Sequence, residues 1–159
     1  MLVYISDLDP NLDEIKARLV IGSDWPEQEF LNVGKYLRTH DYKVDIQKAD
    51  LVNLRNFLIS KRDALLRLLE NPTLLEHESF TQLLQAVFHL TEELGARREL
   101  EDLPAKDYGH LAVDIQRAYG LLVHQWVAYM KHLKDKYPHL FSLAIRMNPF
   151  DENASAIVS

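Results

Sequence analysis

No cysteine occurs among the 159 residues, which excludes disulfides, thiolate nucleophiles and cysteine-ligated zinc and agrees with a reducing compartment. The five glycines are scattered singly, so no glycine-rich cradle for phosphate exists. Long apolar runs are missing as well. The longest uncharged stretch, residues 118–130 between Arg117 and Lys131, includes His124 and Gln125 and falls well short of the roughly 20 apolar residues that cross a bilayer. Basic charge is in deficit, with 18 Lys and Arg against 24 Asp and Glu and a net charge of −6. That balance argues against nucleic acid as a partner, and the small patch Lys131, Lys134 and Lys136 is offset by Asp135. Asp7, Asp9, Asp13 and Glu14 stand where an export signal would carry basic residues, so a cytoplasmic location without membrane insertion is expected.

What the chain does have is helical periodicity. Asp9 followed by Pro10 reads as a cap and first helical position leading into Leu12, Ile15 and Leu19, with Gly22 as the stop. Asp24 and Glu27 have capping-box spacing ahead of a second stripe, Phe30, Val33 and Leu37, ending near His40. A third helix is expected over 49–70, with Leu51, Leu54, Leu58, Leu65 and Leu68 on one face and Asn71-Pro72 as its end. Thr73 and Glu76 then cap a helix whose stripe is Phe80, Leu83, Val87, Leu90 and Leu94. The longest helix spans about 105–136 along Leu111, Ile115, Ala118, Leu122, Trp126, Tyr129 and Leu133, and a short terminal helix covers 140–146 after Pro138.

These segments predict an all-α, up-down helical bundle of about four to five main helices with a short terminal helix, forming one domain over 1–151 and a flexible tail over 152–159. Residues 2–5 and 42–46 alternate enough to suggest a minor two-stranded pairing near the N-terminus. The expected core comprises Leu54, Leu58, Leu65, Leu68, Leu83, Val87, Leu90, Ile115, Leu122 and Trp126.

Reaction chemistry is not evident, and no catalytic, cofactor-binding or metal-ligating residue is assigned. His89, Glu92 and Glu93 lie within about one turn on one helix, and His110 and Asp114 lie one turn apart on the next. A metal-binding or enzymatic bundle using His89, Glu92, His110 and Asp114 is the alternative class, but the repeated Glu-x-x-His order of di-iron bundles is absent. Glu76 and Glu78 suit the positive end of a helix dipole, and His124 suits a half-buried helix position. Trp126 and Tyr129 could line the pocket of a small-molecule sensor, although aromatic residues at helical spacing are more often core. Lys61 and Arg62, which interrupt a leucine-rich seam, read as side chains reaching to solvent.

Residues 57–72, 74–80, 86–90 and 119–123 through Asn148-Pro149-Phe150-Asp151 together resemble the soluble C-terminal region of prokaryotic potassium-channel-like ion channel proteins, over roughly the last two thirds of the chain. The resemblance implies a cytoplasmic, non-enzymatic interaction, assembly or regulatory domain, with a homo-oligomer and a membrane channel protein as the expected partners. The pore helices and a filter such as Thr-Val-Gly-Tyr-Gly are absent, so this chain alone conducts no ions. Self-association is expected on a second ground, because Tyr119, Trp126 and Tyr129 on one side of the long helix and Leu121 and Val127 on another look too many for one core.

Overall fold

A computed structural model describes residues 1–157, and within them every regular element is helical. In order these are α1 (Leu2–Ser6), α2 (Leu12–Leu19), α3 (Glu27–Thr39), a 3-10 turn (Ile46–Lys48), α4 (Leu51–Leu69), α5 (Pro72–Leu75), α6 (Glu78–Ala96), α7 (Ala105–Lys136) and α8 (Pro138–Arg146). At 1.5 Å per residue the 32 residues of α7 extend about 48 Å. This mast packs against α1, α3, α6 and α8.

Three long helices alternate in direction, as their cross-links show. Arg62 on α4 pairs with Glu92 on α6, while Arg55, two turns earlier, reaches the carbonyl of Arg97. His89 meets Asp114 and Arg97 meets Asp107 across α6 and α7. In both cases one number rises as the other falls, so α4, α6 and α7 run up, down and up. The turn from α6 to α7 passes through Asp102 at φ 55°, a left-handed conformation that Asp tolerates better than most residues.

The expected strand pairing does not form, and there is no strand among the described residues. An isolated two-stranded ribbon is marginal in water. A helical turn at residues 2–6 instead buries Ile5 completely and lets the Tyr4 hydroxyl donate to the Asp50 carbonyl at 2.9 Å. The two segments do meet nearby, through a backbone hydrogen bond from the Asp45 amide to the Leu8 carbonyl at 2.8 Å.

Several helix ends also differ from the expectation. Asp9 does not cap α2. Its carboxylate accepts from the Asn11 amide at 2.8 Å, closing a turn that delays the helix to Leu12. Pro72 opens the short α5, whose Asn71 carboxamide accepts from the Thr73 amide, and the chain breaks at Glu76 and His77 before α6 starts. By contrast, Asp50 caps α4 by accepting from the Asn53 amide at 2.8 Å, and α7 spans the residues anticipated.

The core includes six of the ten residues expected there: Leu54, Leu58, Leu83, Val87, Leu90 and Ile115. Leu65, Leu122 and Trp126 are only half-buried, packed against it from outside, and Leu68 is exposed. In the second half of α7 the buried stripe is Tyr119, Val123, Val127, Met130 and Leu133, displaced around the helix from the line through Leu122 and Trp126. Tyr119 and Val127, on the two sides that looked incompatible with one core, are therefore both buried, because α7 is covered on several faces.

The C-terminal segment is stapled to the N-terminal one. The Asn148 carboxamide, buried, donates to the Leu19 carbonyl at 2.7 Å and accepts from the Phe150 amide at 2.9 Å, and Phe150 packs edge-on against Trp126. Within the expected tail, Glu152 pairs with Lys16 and the Ser155 amide donates to the Arg146 carbonyl at 2.8 Å. Residues 158 and 159 of that tail lie outside the described residues.

Candidate metal centre

Residues four apart on a helix stack on one face, so His89 and Glu93 project together from α6, and His110 and Asp114 together from α7. The antiparallel contact of the two helices brings both pairs to one place. The Nε2 atoms of His89 and His110 lie 3.3 and 3.4 Å from the same Asp114 carboxylate oxygen. His110 Nε2 is also 3.5 Å from Glu93 Oε2, and His89 Nε2 is 4.0 Å from Glu93 Oε1. One donor atom each from His89, Glu93 and His110 fits within a mutual distance of 4.8 Å. With zinc bonds of about 2.0–2.1 Å, the donors of a tetrahedron stand about 3.3–3.4 Å apart, close to what the His–Asp pairs show.

Asp114 is the unusual member. Its side chain is 4% exposed, and Oδ2, the oxygen that faces both imidazoles, has no hydrogen-bond partner. A buried carboxylate oxygen left in that state is costly unless a cation or a donor completes it. The two histidines are each about half exposed, so the cluster opens to solvent on one side while Asp114 closes the other.

The neighbours hold the cluster in register. Arg97 donates to Glu93 Oε2 at 2.8 Å and forks onto both oxygens of Asp107 at 2.9 and 2.7 Å, tying the end of α6 to the start of α7. The Arg97 guanidinium holds the Glu93 carboxyl below the usual carboxylate range, with His110 and His89 adding to the effect. It depresses Asp107 in the same way. Glu93 is thereby kept in the charged form that binds a cation, while Asp107 serves to anchor Arg97.

Glu92, the acid favoured from the sequence, takes no part. It points towards α4, where it accepts from Arg62 Nε at 2.6 Å, and the Arg62 guanidinium lies over the Phe88 ring. Glu93 replaces it. The signal for Glu93 was present in the sequence as the matched four-residue step in His89–Glu93 and His110–Asp114.

The remaining candidates do not converge. Trp126 is half-buried against Phe150 while Tyr129 is exposed at 52%. His124 is partly buried, and desolvation lowers its pKa against an opposing hydrogen bond to the Leu37 backbone. Lys131 is paired with Glu27 and Asp135, and Lys134 donates to the Trp25 carbonyl. No helix of the described residues is long and apolar enough to cross a membrane.

Comparison with known proteins gives the chain a family. An archaeal relative, the uncharacterized protein MJ1433 of Methanocaldococcus jannaschii, is 48% identical over 151 residues, which cover 95% of this chain and 61% of that protein. The chain thus spans under two thirds of the length of this curated relative. No solved structure matches. A family model described as the C-terminal helical domain of uncharacterized protein MJ1433 matches residues 1–146. This overturns the resemblance to potassium-channel-like proteins, since nothing in the matched family or relative points to a channel. The segments that suggested it are the leucine-rich faces of α4, α6 and α7, a spacing shared by amphipathic helices generally, together with the Asn148 staple. The chain belongs to the family of the MJ1433 C-terminal helical domain.

Proposed function

We propose that the chain is a metal-binding helical domain that holds one divalent transition ion, zinc foremost, on His89, Glu93, His110 and Asp114. The observation that carries this reading is the buried, unpartnered Asp114 oxygen facing two imidazole nitrogens at 3.3 and 3.4 Å. Imidazole and carboxylate donors suit zinc and its neighbours in the first transition row. His89, Glu93 and His110 supply three donors that lie together, and Asp114 Oδ2 faces both imidazoles from the buried side.

The test is metal analysis of protein loaded with zinc or cobalt and then desalted. About one ion per chain is expected, falling to background in His110→Ala and Asp114→Asn while Glu92→Gln retains it. Protein that emerges metal-free, or that loses its ion equally in Glu92→Gln, would refute the assignment.

A second reading is that of a cytoplasmic interaction or assembly domain working as a homo-oligomer. It is favoured by Leu140 and Leu143 on α8 and by Tyr137 and Met147 at its two ends, each at least 43% exposed. The two readings are compatible, because α8 lies at the opposite end of α7 from the histidine-carboxylate cluster.

A further inference from the structure

A pocket of about 490 Å³ adjoins the cluster, lined by Gln82, Gln85, Ala86, His89, Arg117 and Leu121. His89 belongs to both, so whatever occupies the pocket sits beside the ion. Arg117 is the cation of the pocket wall. It is 58% exposed, and its nearest acidic neighbour is the Asp114 oxygen that faces away from the histidines, at 4.0 Å. No carboxylate lines the pocket, and two carboxamides do, of which Gln82 Nε2 donates to Glu78 at 3.3 Å.

Resting on the metal-binding reading, we infer that this pocket is an oxyanion site switched on by the ion, taking a small molecule that presents a phosphate or carboxylate to Arg117 and polar groups to Gln82 and Gln85. The charge balance gives the reason. Without metal, the carboxylates of Glu93, Asp107 and Asp114 outnumber the guanidiniums of Arg97 and Arg117 by one, and Asp114 competes for Arg117. A dication reverses the excess to one positive charge and engages Asp114 itself. Arg117 is then left as the group that lacks a counter-charge, and its planar fork is suited to both oxyanions.

The experiment uses the full chain, metal-free or cobalt-loaded, titrated by calorimetry with phenyl phosphate or with benzoate. The visible spectrum of cobalt reports that the ion stays in place. The expected result is binding of one or both probes that tightens about tenfold on cobalt loading, the size of effect two charges exert across several ångströms of partly screened space. Phenyl phosphate binding alone marks a phosphate site, and benzoate binding alone a carboxylate site. Arg117→Gln should keep the cobalt spectrum and lose the gain, and Arg117→Lys should recover only part of it. A cobalt spectrum with no gain in affinity for either probe overturns the inference and leaves metal binding standing. A protein that gives no cobalt spectrum overturns both.

Discussion

Single residues separate what spacing can tell from what packing decides. Leu111 and Leu122 both lie on apolar positions of α7, yet Leu111 is fully buried and Leu122 is half-buried at the rim of the core. Leu111→Ala should therefore lower the unfolding free energy by roughly 2–5 kcal/mol, and Leu122→Ala by about 1 kcal/mol. Chemical denaturation of the two variants checks the order, and a larger loss at Leu122 would contradict the burial pattern. The same contrast governs the site. That His89 and Glu93 share one face, and His110 and Asp114 another, was legible from their four-residue steps. Glu92 lies on a different face, towards Arg62, and its exclusion follows from the position of α4, which no local pattern encodes.

Among the elements, α7 was legible to its ends because Pro104 and Pro138 bracket an uninterrupted amphipathic run. Its inward face was legible only in the first half. Beyond Ala118, apolar residues occur all round the helix, since α1, α3 and α8 also pack on it, and the phase of the buried stripe cannot be read from one periodicity. The register of α6 against α7, which brings the histidines together, depends on the turn through Asp102 and on the Arg97 bridge, neither of which leaves a periodic signal. A further contact between elements is testable. Gly120 lets the Tyr42 ring lie directly on α7, and a Cβ at that position would stand 3.1 Å from two ring carbons. The ring is also edge-on to Tyr119 at 5.2 Å. Gly120→Ala is expected to destabilise the fold by about 1–3 kcal/mol despite the better helix propensity of Ala, measured as a lowered denaturation midpoint. A midpoint equal to or above that of the parent would show that Tyr42 moves aside freely.

For the whole molecule, the all-helical class followed from composition and periodicity, whereas the count and lengths of the short helices did not. The expectation of self-association loses both of its grounds, because the channel resemblance is overturned and Tyr119 and Val127 are buried within one chain. The exposed apolar side chains of α8 supply a different one. Light scattering at high micromolar concentration should give a dimer mass for the parent and a monomer mass for Leu140→Glu combined with Leu143→Glu. An interface built there would need to bury about 1,200 Å² or more in total. A monomer at all concentrations would remove the assembly reading.

The donor set of the candidate centre consists of imidazole nitrogen and carboxylate oxygen alone, in a chain that has no cysteine. Peroxide and electrophiles empty many zinc centres by attacking a ligating thiolate, and here they find none. Occupancy of such a centre would follow the supply of metal and remain indifferent to oxidative stress.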